Sequence, residues 1–167
     1  LQAKQREIDA ARQLAERIEC VDVIRQCIHA LQHERGATSI YLASDGQRFA
    51  QVRQDAMEQS RAAGQRLQAA FNAQAQAPQD STASMLSLMA LTWIGLNALD
   101  GLRQRFERRQ SSAHDAVAAF SRLIAGMVDL ISHVADAALL PSASRLLVSL
   151  LHLVQSKEAA GQERAVG

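Results

Sequence analysis

From Ala3 to Ala43 the chain contains no proline, and its apolar residues recur at steps of three and four: Ala11, Leu14, Ile18, Val21, Ile24, Ile28 and Leu31. At 3.6 residues per turn these positions form one continuous helix face. A helix of that length gains its stability from partner helices laid along the apolar stripe. The composition supplies them. Ala, Gln, Arg, Leu and Glu dominate, and only eight Gly and two Pro interrupt 167 residues. Aromatic residues make up 4% against 48% hydrophobic content, so the core is built from Leu, Ile, Val and Ala. The chain is expected to be all-α.

Local punctuation divides it into about five helices. The first ends at "SDG", where Ser44 and Gln47 have the spacing of a capping box that opens a second helix over roughly 46–75. The stretch "AQAPQDSTAS" is the clearest loop, near 74–82, and separates two helical halves. Asp80 or Ser81 can cap a third helix reaching about Gln110. Ser112 with Asp115 makes another capping box and starts a fourth, ending near Leu139. Pro141 suits the first turn of a fifth that runs to the end of the chain. Long helices with short connections pack antiparallel, so residues 1–167 are expected to form a single up-down helical bundle.

Net charge is +1, so no global field draws the chain to nucleic acid or to a membrane surface. The short run "RQRFERRQ" at 103–110 reads as a solvated helix end whose cations suit the C-terminal dipole. Cys20 and Cys27 are seven apart on one helix, about 10.5 Å along its axis, too far for a disulfide. They read as small buried apolar residues. The longest uncharged run, "STASMLSLMALTWIGLNAL", carries Ser, Thr, Asn and Gly and reads as a buried helix, not a membrane span.

Continuing the stripe of the first helix past Leu31 lands on Arg35, then Thr38, then Leu42. Arg35 therefore occupies a core position. Its guanidinium keeps its charge, and a buried charge without a partner costs several kcal/mol. Gly36 beside it costs about 1 kcal/mol in a helix interior, which close helix approach or room for a ligand would explain. The last helix repeats the pattern: Leu146, Leu150 and Leu153 lead through Lys157 and Ala160 to Arg164, with Gly161 alongside. In the third helix Met89, Trp93, Leu96 and Leu99 lead to Arg103 and Phe106, although Arg103 can also pair with Glu107 one turn on. Three converging arginines would make a small cationic pocket suited to a small anion.

Other constellations carry less. His29 and His33 are spaced as half a zinc site, but Ala30 stands where H-E-x-x-H has its glutamate. His114, His133 and His152 show no ligand spacing. The E-x-x-H pairs of haem or di-iron bundles, the G-x-S-x-G elbow and phosphate-cradling glycine loops do not occur. Trp93 and Tyr41 are too isolated to form a stacking surface. Neither catalytic residues, nor a metal, nor a cofactor is expected.

Two motifs carry a resemblance. "LQHERGATS" at 31–39 resembles the LQ-x-ERG-x-S motif of the nitrate- and nitrite-sensing (NIT) domain, and "KEAAGQERAVG" at 157–167 resembles its later K-E-x-x-G-x-E-R-A motif. Between them, residues 99–131 look like the family's middle segment, with Phe120 where it usually has Tyr. The interval between the first and middle motifs is short for the family, and the chain resembles an abridged or truncated form. The resemblance implies an all-helical sensor that binds nitrate or nitrite between helices. It also implies signalling to an output module or partner protein in transcription antitermination or signal transduction. The motif positions carry over as Arg35 and Arg164, with Arg103 at the middle position. Ser39 or Thr38, one turn beyond Arg35, could add a hydrogen bond.

The expected protein is a homodimeric, cytoplasmic sensor (periplasmic if part of a membrane receptor), without membrane insertion or direct nucleic-acid binding by this segment. The rival expectation is a helical dimerisation module whose arginines sit in structural ion pairs with no concave pocket between them.

Overall fold

The computed structural model describes residues 1–76, 83–136 and 141–166. They form five helices: α1 (Gln2–Ala43), α2 (Ala50–Gln76), α3 (Ala83–Glu107), α4 (Ala113–Asp136) and α5 (Pro141–Val166). No strand occurs among the described residues. The expected caps Asp80 and Ser81, and the expected end of α4 near Leu139, lie outside the described residues. Ser112 caps α4 as expected, its Oγ accepting the backbone N–H of Asp115 at 3.0 Å.

α1 is the axis of the bundle. It packs on α2, α4 and α5, while α3 packs chiefly on α4. The stripe read from the sequence is buried from Val21 through Ile24, Ile28, Leu31 and Arg35 to Thr38, and Cys20, Cys27, Glu34 and Ala37 widen it. That breadth follows from packing on three helices. Cys20 and Cys27 are buried free thiols, as their spacing required. Burial, reinforced by Glu19, pushes the Cys20 thiol up to about 11. Burial likewise takes Cys27 to about 12 despite Arg103 and Arg66 nearby.

The start of α2 differs from expectation. Ser44 Oγ accepts the N–H of Arg48 at 2.9 Å, but α2 opens only at Ala50, because Asp45, Gly46 and Phe49 all take positive φ. Ser44 instead closes α1. The Asp45 N–H returns to the Leu42 carbonyl and the Gly46 N–H to that of Tyr41, the paired bonds of a Schellman end. α3 ends the same way, earlier than expected, with Arg109 N–H on Phe106 and Gln110 N–H on Arg105. These two ends are fastened together. Arg109 Nη1 donates to the carbonyl and carboxylate of Asp45 at 2.8 and 3.0 Å, and the Tyr41 hydroxyl donates to the Glu107 carbonyl at 3.3 Å.

Two further expectations are corrected. α3 is not buried all round: Met85, Met89, Thr92, Leu99, Arg103 and Phe106 face inward, while Leu91 and Ile94 are each 63% exposed. A helix packed mainly on one neighbour leaves its far side open. Both α3 and α4 are long and apolar enough to cross a membrane by length and composition. In α5 the buried face is one residue away from the expected stripe. Leu151, Val154 and Glu158 point inward, and Leu153 is 56% exposed. The run "LLVSLLHLV" has leucines at every phase, so spacing alone does not choose the inner side.

Candidate functional site

Arg35 enters the bundle from α1 and is 2% exposed. Its Nη1 donates to Glu158 Oε1 of α5 at 2.7 Å and to Ser121 Oγ of α4 at 3.0 Å. Glu158 is held in turn by Gln162 Nε2 on Oε1 at 2.7 Å and Gln32 Nε2 on Oε2 at 2.8 Å. One guanidinium nitrogen thus ties three helices together. Sequence reasoning assigned no role to Glu158, although it stands within "KEAAGQERAVG". Its one-residue offset from the leucine stripe concealed it.

The other terminal nitrogen, Nη2, points toward the α5 backbone. A Cβ built on Gly161 would lie 2.7 Å from it. A side chain at position 161 would therefore oblige the Arg35 guanidinium to shift. Gly161→Ala is expected to push the guanidinium off Glu158, lowering both the melting temperature and any anion affinity that depends on Arg35. Parallel thermal and calorimetric measurements on the variant check this. Gly36 is the contrasting case. Nothing lies within 4 Å of a Cβ built there, so close helix approach does not account for it. Gly36→Ala is expected to stabilise the helix by about 1 kcal/mol, measurable by chemical denaturation.

Gly36 opens instead onto a cleft of about 450 Å³ between α1 and α5. α1 lines it with His29, Gln32, His33, Arg35 and Ser39; α5 contributes Lys157, Gly161 and Arg164; Phe49 and Val52 close the end nearest α2. The structure thus brings Arg35, Arg164 and Ser39 to one cleft. Arg164 is exposed, with no carboxylate in salt-bridge reach among the described residues. Arg35, Lys157 and Arg164 outnumber Glu158, so the cleft carries a positive surplus.

Arg103 and Thr38 are placed elsewhere. Arg103 Nε and Nη2 grip both oxygens of buried Glu34 at 2.7 Å each, and Nη1 donates to Asp100 at 3.0 Å, not to Glu107 as the helical alternative anticipated. Burial opposes the charge on Arg103, but the Glu34 and Asp100 bonds outweigh it and hold its pKa above the ordinary value. Asp100 is partly desolvated, yet Arg103 and Arg61 hold it below its ordinary value. Thr38 is fully buried off the cleft, and its Oγ1 has no hydrogen-bond partner. The rival's expectation of ion-paired arginines is met at Arg103 and at Arg35; its expectation of no pocket is not.

His29 and His33 meet edge to face with ring centroids 4.8 Å apart, and no cluster of three metal-binding side chains occurs among the described residues. Partial desolvation, then Lys157 at 3.5 Å from Nδ1, His33 and Arg25, hold His29 below its ordinary pKa.

Comparison with known proteins gives these features a setting. The family model described as "Nitrate and nitrite sensing" matches residues 26–167. The chain is 31% identical over 157 residues to the nitrate regulatory protein of Klebsiella oxytoca, covering 93% of this chain and 38% of that protein. The structure of the NasR transcription antiterminator superposes with a TM-score of 0.89 at 29% identity, covering 98% of this chain and 44% of the other. The chain therefore spans less than half the length of these relatives, one a nitrate regulatory protein and the other a transcription antiterminator. With its helical fold and both terminal motifs inside the matched region, the chain belongs to the nitrate and nitrite sensing family.

Proposed function

We propose that the α1–α5 cleft binds nitrate or nitrite through Arg35, assisted by Arg164 and Ser39, and that occupancy regulates a transcriptional output in the cytoplasm. The observation that carries this reading is the arrangement of Arg35. Its Nη1 is committed to protein partners, while Nη2 sits against Gly161, and both residues line the cleft. Nitrate is planar, carries one charge, and offers coplanar oxygens to paired N–H donors. The assigned ligand is an inorganic anion, with no cofactor.

Glu158 sets the threshold for binding. It neutralises Arg35 before an anion arrives, so a ligand must compete with it or recruit additional cations. Lys157 and Arg164 supply them from the same helix. At about 450 Å³ the cleft falls in the range of roughly 300–1,000 Å³ that suits much larger ligands. A four-atom anion engages both walls only if α5 draws toward α1 and swings Arg164 inward. That closure is the signal in this reading.

The test is isothermal titration of nitrate and nitrite into the chain, with chloride and sulfate as controls, repeated on Arg164→Gln. Saturable heat with nitrate or nitrite, weakened by Arg164→Gln, supports the site. Equal response to chloride, or none to either oxyanion, overturns it. Binding should also depend on pH. His29 is held below its ordinary pKa, so it stays neutral until the pH falls beneath the usual histidine range. An anion in the cleft favours the protonated ring, so affinity is expected to rise on acidification and the His29 pKa to rise on nitrate addition. NMR titration of the ring checks both. The unliganded fold responds oppositely. A histidine with a lowered folded pKa contributes stability that is intact above its unfolded value and is lost as pH falls from there through the folded value.

A further inference from the structure

The outward side of α3 is never charged along most of its length. From Ala83 to Leu99 the helix contains no Asp, Glu, Lys or Arg; Asp100 is the first. Leu91 and Ile94 stand in the open on this side, with Ala90 and Ala98 beside them. A solvated helix face ordinarily carries charge. Scattered exposed leucines need no explanation, but a continuous uncharged face over about four turns does.

The face runs across a groove of about 500 Å³ onto α4. Leu88, Leu91, Gly95, Ala98 and Leu102 line it from α3 at steps of three and four, the spacing of a helix-packing seam. This seam adjoins the inward side of α3, since the buried Thr92 and Leu99 line the groove as well. α4 answers with Ala119, Arg122, Gly126 and Asp129 at the same steps. Gly95 already receives Leu123 of α4 against it, whereas nothing lies within 4 Å of a Cβ built on Gly126, which leaves the α4 side of the groove open to close approach.

The charges at the rim identify the occupant. Arg122 and Asp129 lie two turns apart, about 10.5 Å along α4, on either side of Ala125 and Gly126. They are too distant to pair with each other, and neither forms an ion pair among the described residues. Place a second α4 antiparallel to the first across a two-fold axis between residues 125 and 126. Arg122 of each copy then faces Asp129 of the other, and both pairs form at once. A self-complementary patch of this kind is what an isologous interface requires. A lipid bilayer, for which the length and hydropathy of both helices would also qualify, would have to accept these two charges near the middle of α4.

We propose that the α3–α4 groove is a homodimer interface, in which two copies of the chain meet about Ala125 and Gly126 with reciprocal Arg122–Asp129 pairs and apolar contacts from Leu91 and Ile94.

Light scattering and sedimentation over a wide concentration range read the outcome directly. The chain is expected at twice its 18.2 kDa mass. Leu91→Glu, on an exposed position, is expected to give the monomer mass with an unchanged circular dichroism spectrum and melting profile of the isolated bundle. Arg122→Asp and Asp129→Arg should each weaken association by on the order of tenfold or more, because each sets like charges face to face twice. The double swap Arg122→Asp/Asp129→Arg should restore it. A chain that is monomeric at every concentration overturns the proposal, as does a dimer indifferent to Leu91→Glu. Monomers that co-sediment with phosphatidylcholine–phosphatidylglycerol vesicles would assign the face to lipid and equally overturn it. Failure of the double swap to recover a dimer broken by both single changes refutes the two-fold arrangement.

Discussion

Arg35→Ala is expected to abolish saturable binding of nitrate and nitrite and to lower stability by about 3–5 kcal/mol, the usual consequence of stripping one partner from a buried ion pair. The damage comes from what remains. Glu158 is buried and would be left with only Gln32 and Gln162 as hydrogen-bond partners. At about 2–4 °C per kcal/mol for a chain of this size, the loss is plain in a thermal melt. The double variant Arg35→Ala/Glu158→Ala separates fold from site, because removing both partners is far less costly than removing one. Stability should largely return while binding stays absent. Arg35→Lys should retain much of the ion pair and little of the binding, since an ammonium keeps the charge without the planar pair of donors. Recovery of full nitrate affinity in either the lysine variant or the double variant would disprove the role assigned to this guanidinium.

Arg103→Ala should be at least as damaging to the fold and nearly silent in binding. Glu34 is 1% exposed and takes two 2.7 Å bonds from Arg103, so its orphaned carboxylate should again cost about 3–5 kcal/mol. Arg103 does not line the cleft. In chain that remains folded at low temperature, nitrate affinity should hold within about twofold, the usual limit for sites without shared partners. Denaturant titration gives the first quantity and calorimetry the second. A selective loss of affinity in folded protein would return Arg103 to the ligand set, where the family resemblance first placed it.

The contrast between Arg35 and Arg103 marks how far spacing carries. Counting by three and four put both on apolar stripes, and both are buried. Spacing could not say which has an edge on a cleft, because that depends on where α5 lies against α1. The same limit appears in α5 itself, where leucines at every phase hid the inner side and with it Glu158. Helix ends were legible where one residue suffices, as at Ser112. They were not at Ser44, where the Schellman end of α1 and its contact with Arg109 override a capping box formed by local residues. The exposed side of α3 was misjudged for a related reason: apolar composition states what a helix can bury and not how many neighbours it has.

The fastening of α1 to α3 through Asp45, Arg109 and Tyr41 has a mechanical corollary. It pins the turn leading into α2 against the turn leading into α4, so the first four helices share a rigid end, and the cleft wall formed by Phe49 and Val52 is anchored to it. α5 has no part in that joint and, among the described residues, meets the bundle chiefly along α1 and α4, with Glu158 as its buried polar anchor. Any work extracted from ligand capture would therefore appear as travel of one rod against a fixed frame. In hydrogen exchange the last turns of α5 should be the first amides to open and the first to gain protection when the cleft is filled.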